Sequence, residues 1–543
     1  MTALRALLVA SAILLFVDLG GSTIWDINEA FYVETPKQMV LTGDYVNPSF
    51  NGAERFNKPV LSYWIVAGFY KVMGVSVTTE RVAIALGSLL LIGATFVIGR
   101  TLGGRNAGVI AALVLASAPS VMLWSRRIFI DVWLTSLLAL ALMCYVLVDA
   151  HPHRRRLSLI GMYAAIGLAM LTKGPVALVL PGLALLIHLT WTRTLRDLRV
   201  MMIPIGLLII AVIVAPWYIA DYHQHGWKHI SGFFIGENLD RYTETYGAQN
   251  RGLWFYIPVL LGDLTPWSMF LPAAIWLAWR ERRPDLRLMI IWIAVFAGVF
   301  SLSKTKQDLY IFPAAPAIAA LVGVLVARSI GTGIGLWNDA VGRLARVGAI
   351  VTSLGLMVVG ALAVYLTWIT NDIPNLRQAA VAGGVLIAGG AAACVLALRA
   401  RLLTVAMSLG ATAVVVNWLL VLLVMRPFEA FKPIAPMSEW LRGHADGAVV
   451  AHYKTPLASM TYYLGRPVTQ VFDAAAMTSL INSEERLYVM ARPGDIAEIS
   501  ARNAVPICVL QKRKLPAFDA KLSEMTSGKL PEIWLAGIKG ACR

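Results

Sequence analysis

The sequence predicts a mostly α-helical, polytopic membrane protein of about thirteen transmembrane helices, followed by a small α/β domain. Three observations carry this. Of the 543 residues, 58% are apolar and only 14% are charged, where a soluble domain averages roughly 25% charged. Apolar stretches of about 20 residues, the length a spanning helix needs, recur from the first residues to residue 424. Beyond 424 the composition returns to that of a soluble domain, with ordinary charge and short alternating apolar runs. The same composition excludes disorder, which requires low hydrophobicity and high charge. The net charge is +16, but the basic residues are spread among loops rather than gathered in one patch, so no nucleic-acid partner is expected. The four cysteines are too few and too scattered for a disulfide scaffold or a cysteine metal centre.

The spans are placed near 3–20, 80–99, 107–124, 131–149, 157–172, 175–191, 201–220, 254–278, 288–303, 309–327, 347–368, 378–398 and 403–424. Orientation follows from Arg and Lys in the short loops. Arg100 and Arg105, Arg154 to Arg156, Arg193, Arg196 and Arg199 fall in alternate loops. So do Arg280, Arg282, Arg283 and Arg287, then Arg328, Arg343 and Arg346, then Arg399 and Arg401. Those loops are cytoplasmic, the first span runs outward, and the odd count puts the C-terminal domain outside. The N-terminal apolar run is read as a first span rather than a cleaved signal, because it is long and no small-x-small site precedes a soluble domain.

The outside loops break the charge rule. Arg55, Lys58, Arg126, Arg127, Lys173, Arg241, Arg251, Lys304 and Lys306 lie on the side that should be poor in positive charge. One or two would be snorkelling side chains; nine over five loops point to a shared anionic ligand at the outer face. Region 21–79 is too polar to span but rich in aromatics, and its apolar piece 59–73 reads as an interfacial helix. Loop 221–253 holds His223, His225 and His229. Their spacing does not set two on one helical face with a matching carboxylate, so they are expected to be interface residues rather than metal ligands. The domains are therefore 1–425, in the membrane with outer loops 21–79 and 221–253, and 426–543. In the second, strands are expected at 448–453, 468–472, 486–491 and 505–510, and helices near 455–464, 473–483 and 494–503, without a glycine-rich phosphate loop.

A set of local strings runs through the membrane portion: WDINEAFYVETPKQM (25–39), GDY (43–45), RFNKPVLSYW (55–64), IDVW (130–133) and LTKGPVALVLP (171–181). They continue with APW (215–217), FFIGENLDRY (233–242), LWFYIPVLLGDLTPW (253–267) and FSLSKTKQDLYIFPAAPAIAAL (300–321). In order and spacing they resemble the membrane glycosyltransferases of the C-type fold, in particular the aminoarabinose–lipid A transferases and the dolichyl-phosphate-mannose–protein mannosyltransferases. The resemblance implies a polyprenyl-phosphate-linked sugar as donor and a lipid A, envelope glycan or protein acceptor at the outer face of a bacterial inner membrane. It also implies single displacement with inversion, and an acidic catalytic pair in the first outside loop. Asn28 and Glu29 hold the positions of that pair; Asn28 cannot accept a proton, and Asp26 is expected to replace it. Where the resemblance implies a metal-binding Glu and His, this chain has Asn57 and Asn238. Amides are poor zinc ligands, so no metal is expected there and no cofactor is assigned.

Transfer from a lipid phosphate needs cations at the leaving phosphate, best set in place beforehand. Lys58, Arg127, Lys173, Lys304 and Lys306 are the candidates, with Tyr310 of KQDLY, which matches a family Tyr, as a further phosphate partner. It also needs a carboxylate at the acceptor nucleophile, a general base if that is a hydroxyl. Asp26, Glu29 and Asp131 are the candidates, Asp131 because an ionisable residue at a membrane edge is functional by default. Asn28, Arg55, Glu237 and Arg241 complete the loop residues expected near the acceptor. Two other classes share this composition: a transporter or flippase of lipid-linked sugars, and a non-catalytic envelope scaffold. Transporters favour internal repeats and charges near the midplane; here no repeat is evident and the charges gather at one face. In the outer domain, Cys508 lies in an apolar run and Cys542 at the chain end, beyond the run 533–538. A bridge between them would pin an end that would otherwise fray, in a compartment where disulfides persist, whereas Cys144 and Cys394 lie within spans.

Overall fold

A computed structural model of the chain describes residues 1–243, 251–332, 339–369, 376–399, 402–514 and 531–542; Arg401 and the side chains of Asn238 and Arg241 lie outside the described residues. Helices occupy every stretch read as a span, but they are not all alike. Among the described residues, eight helices are long and apolar enough to cross a membrane, and up to nine if one bent pair counts as a span. Thr2–Leu14 and Val176–Trp191 are apolar but shorter. The stretch near 254–278 is not one helix: Leu253–Asp263 and Ser268–Glu281 are separated by a bend of 112°. Pro266 lies in that break, where proline has no N–H to continue a helix.

Val77–Ser117 is a helical hairpin rather than a single rod. Its backbone leaves the helix at Gly103 and Gly104, the latter at φ +80°, a conformation glycine adopts without penalty. The two arms then pack on each other so closely that a Cβ on Gly108 would lie 2.7 Å from the Phe96 carbonyl oxygen. The stretches predicted as 80–99 and 107–124 are these two arms. Against them lies Asp308–Ile330, 94% buried over its apolar window, while Ile203–His225 is only 22% buried. The first is the centre of the bundle, and the second shows its apolar side chains, Leu208 and Val212 among them, to the surroundings.

Two helices the outer loops need come between the first span and the second. Asn28–Thr42 begins with Glu29 in its first turn, where a carboxylate suits the positive end of the helix dipole. Leu61–Met73, the expected interfacial helix, buries Tyr63, Val66 and Tyr70 and exposes Val72 and Met73. Between them a hairpin of β1 (Ser49–Phe50) and β2 (Ala53–Glu54) turns on Asn51 and Gly52, both at positive φ; Asn-Gly is the favoured sequence for such a turn.

The C-terminal domain is a five-stranded sheet. Its strands are β3 (Val449–Tyr453), β4 (Thr469–Val471), β5 (Arg486–Ala491), β6 (Ile507–Lys514) and β7 (Glu532–Lys539), in the order β4-β3-β5-β7-β6. β3 pairs in parallel with both β4 and β5; β7 is antiparallel to β5 and β6. The predicted runs fall on these strands, and helix Ile434–His444 precedes them. Cys508 on β6 is bonded to Cys542, with Cα atoms 5.6 Å apart, while Cys144 and Cys394 are free thiols.

Candidate active site

The residues that line the main cavity come from both domains. It encloses about 720 Å³ between the first outer loop (Thr23 to Glu29), the turn carrying Trp124, Arg127 and Phe129, the segment 305–309, and the C-terminal domain through Thr455, Pro456, Arg492 and Glu532. A volume in the range of 300–1,000 Å³ is that of a small-ligand site.

Glu29 is fully buried. Its Oε1 accepts from Arg127 Nε at 3.0 Å, its Oε2 accepts from the Trp25 amide at 3.0 Å, and Arg81 stands 3.9 Å away. Partners of this kind offset the cost of burying a carboxylate. In turn Glu29 fixes Arg127, whose guanidinium also lies over the rings of Phe129 (4.9 Å), Trp124 (5.5 Å) and Trp25 (5.7 Å). A cation held on both sides in this way is preset for an anion in the cavity.

Asp26 lines the same cavity from the same loop. Ser459 of the C-terminal domain donates to it from its backbone N–H at 2.6 Å and from its hydroxyl at 2.5 Å. Burial outweighs these bonds and pushes the Asp26 carboxyl up to about 6, with the charge of Glu29 adding to the rise. Lys432, just past the last helix of the membrane domain, also lines the cavity. It donates to Ser22 Oγ (2.6 Å), Glu429 Oε1 (2.8 Å) and the Thr23 carbonyl (2.9 Å), and sits 4.2 Å over the Trp25 ring. Burial pulls its amine down to about 8, against the opposing pull of Glu429. The arrangement can therefore hold an anionic headgroup and offer a carboxylate whose pKa lies near neutrality to an acceptor hydroxyl.

Four of the residues predicted from sequence meet at this cavity: Asp26, Asn28, Glu29 and Arg127, joined by Arg251 from the set of outside cations. The others sit elsewhere, most of them with partners of their own. Asp131 and Lys173 are paired with each other, and Lys173 lies 4.6 Å over Tyr310, in a small apolar niche with Phe296 and Phe300. Lys58 is 3.1 Å from Glu237, which also accepts from Asn57 at 2.8 Å. Arg55 donates to the Tyr63 hydroxyl at 3.1 Å and covers the Phe31 ring. Lys306 is buried against the Ser303 carbonyl, and Lys304 is exposed. The structure thus does not gather the predicted cations at one phosphate. The partners of Lys58 and Lys173 come from distant parts of the chain, and loop charge alone does not reveal them. Lys432 and Arg492 were outside the sequence reading; the only signal for Lys432 is its place at the end of the last apolar stretch. Two of the three histidines come together: the rings of His225 and His229 stack at 4.3 Å, and Glu54 lies beside them.

A family model described as dolichyl-phosphate-mannose-protein mannosyltransferase matches residues 57–219. An undecaprenyl phosphate-alpha-4-amino-4-deoxy-L-arabinose arabinosyl transferase of Pseudomonas paraeruginosa is 31% identical over 330 residues, covering 58% of each chain. An uncharacterized protein of Aquifex aeolicus is 29% identical over 315 residues, 58% of this chain and 62% of that one. The chain spans about three fifths of the length of the curated relatives it matches. Among solved structures, ArnT from Cupriavidus metallidurans in the apo state is similar with a TM-score of 0.80 at 22% identity, covering 98% of both chains. The same protein bound to undecaprenyl phosphate gives 0.78. That likeness extends through the C-terminal domain, and the fold is the C-type glycosyltransferase fold that the sequence strings implied.

Proposed function

We propose that this multi-pass membrane protein transfers a pentosyl or hexosyl unit from a polyprenyl-phosphate donor, undecaprenyl-phosphate-like, to an envelope acceptor. The acceptor is lipid A, another glycan or a protein. The reaction takes place at the periplasmic face of the bacterial inner membrane, with the C-terminal domain in the periplasm. The observation that carries the reading is the cavity that Asp26 and the Glu29-held Arg127 both line, on a fold shared with ArnT. The relatives' printed names, which specify transfer from undecaprenyl phosphate, support the donor class.

In the step, the bond from the sugar's anomeric carbon to the lipid phosphate breaks as the acceptor oxygen attacks from the opposite face. Arg127, with Lys432 behind it, stabilises the charge that grows on the departing phosphate. An acceptor hydroxyl gives its proton to Asp26; an acceptor that is already a phosphate anion is oriented instead. Phosphate is a good leaving group, so no cofactor is assigned to the step.

The test is transfer of radiolabel from a polyprenyl-phosphate sugar by the purified full chain in proteoliposomes. Wild type is expected to label an envelope-lipid, glycan or protein acceptor, and Arg127→Met to lower the rate at least tenfold, equivalent to about 1.4 kcal/mol of barrier. Movement of the donor across the bilayer with no transfer would replace this reading with that of a transporter.

A further inference from the structure

We propose a divalent metal site, of the zinc class, built by Glu54, His225 and His229 on the outer face of the membrane domain. It goes beyond the transfer reading and does not use Asn57 or Asn238, the positions where the family resemblance implies metal ligands.

The chain path sets the geometry. Helix Ile203–His225 ends at Gly226, at φ +69°, and helix Trp227–Ser231 starts at once. This sharp turn brings His225 and His229 into a stack, 4.3 Å between ring centres and 25° between planes. The ring of Phe56 closes one side, 4.0 Å from His229 and 4.9 Å from His225. From β2, Glu54 brings a carboxylate oxygen to 3.6 Å from His225 Nδ1. One ligand atom from each of the three residues lies within 4.8 Å of the other two. Two ligands each about 2.0–2.1 Å from a tetrahedral zinc lie roughly 3.4 Å apart, so closure needs only side-chain adjustment.

The outer partners point the same way. A ligating histidine usually gives its second ring nitrogen to a carboxylate or carbonyl, which fixes the ring. His225 Nε2 lies 2.8 Å from Asn47 Oδ1, leaving Nδ1 toward Glu54. Beside His229 Nδ1, at 3.7 Å, stands Asp221 Oδ1. Both of those atoms are buried and lack a hydrogen-bond partner among the described residues. A metal drawing the His229 ring into place satisfies both. Two imidazoles and one carboxylate suit a borderline divalent cation, and Glu54, 54% exposed in its side chain, leaves an entry path. The bound ion would tie the end of Ile203–His225 to the hairpin, just before the Phe56–Lys58 segment.

The experiment uses the purified full chain in detergent, stripped with chelator and titrated with Zn2+ alone, with Co2+ as the spectroscopic probe. Wild type is expected to bind one ion per chain, to give the visible absorption of low-coordinate cobalt, and to unfold at a higher temperature with Zn2+. Glu54→Gln should weaken binding at least tenfold, and Asp221→Asn or Asn47→Ala roughly 10–100-fold, while His223→Ala, a nearby exposed histidine, leaves it unchanged. The double variant His225→Ala/His229→Ala should lose the ion. Undiminished binding in that variant overturns the site. If the double variant does not fold, undiminished binding in Glu54→Gln overturns it instead, since that side chain is exposed and its loss leaves the core intact.

Discussion

Asp26 holds a proton more tightly than an exposed aspartate because its charge is removed from water and placed near Glu29, while Ser459 returns only part of the lost solvation. That predicts a pH profile for transfer. The carboxylate is the active form, so the rate falls about tenfold per unit below about pH 6, as protonation removes the base, and is flat from there to about pH 8, above which Lys432 loses its charge. Asp26→Asn should abolish this acid limb and lower the rate at least tenfold at neutral pH; an unchanged limb in that variant would place the base elsewhere. Glu29→Gln should behave differently. It leaves Arg127 without its charged partner and so raises the KM for the donor together with lowering kcat. Asp26, Glu29 and Arg127 were legible in sequence because they fall in family-like strings or on the wrong side of the charge rule. Lys432 was not, since its partners Ser22 and Thr23 lie some 400 positions away. The separate pairing of Asp131 with Lys173 was also hidden: each looked like a lone charge at a membrane edge until the helices that carry them were set side by side.

At the scale of elements, apolar length located the helices, and the glycines decided how they meet. Gly99 and Gly108 are where the two arms of the hairpin touch, backbone against backbone: an added Cβ on Gly108 would meet the Phe96 carbonyl oxygen and come within 2.9 Å of the Arg100 Cβ. Neither neighbour is the loose end of a side chain, so the arms must part. Gly108→Ala is expected to lower stability by about 1–3 kcal/mol, the range for overpacked sites, read as a lower thermal midpoint of the detergent-solubilised chain. Gly93→Ala, where nothing lies within 4 Å of the added carbon, should hold the midpoint or raise it. A hydropathy reading finds both arms but has no means to see this contact. It also merged Leu253–Asp263 with Ser268–Glu281, because apolarity continues through a bend that Pro266 interrupts. The histidine cluster was missed because its carboxylate, Glu54, comes from β2, about 170 positions before His225, and no local spacing shows it.

Over the whole molecule, the domain boundary was legible as a change of composition, but the docking of the domains was not, because it joins residues some 400 positions apart: a buried apolar cluster packs Ile24, Ala30, Val33 and Phe50 against Ala435, Ala458 and Tyr463, with polar bonds beside it. Tyr463 accepts from the Ile24 amide at 2.7 Å, and Asn51 at the hairpin tip bonds both backbone groups of Val468. Ser459 holds Asp26 in the same way. The cavity is therefore complete only while the C-terminal domain keeps its shape, and the Cys508–Cys542 bond governs how firmly that domain's last strand and chain end are held. The bond joins β6 to the turn after β7 across 34 positions, a loop of the size for which chain entropy predicts about 3–4 kcal/mol of stabilisation. Cys542→Ser should lower the unfolding midpoint of the full chain and, by loosening β6 and β7, weaken the wall formed by Glu532. Peptide mapping without reductant, on protein made in the bacterial envelope, should recover Cys508 joined to Cys542 and find Cys144 and Cys394 as free thiols. A free thiol at Cys542 would remove the bond and count against the placement of this domain in an oxidising compartment, and with it against the odd number of spans that puts the domain outside.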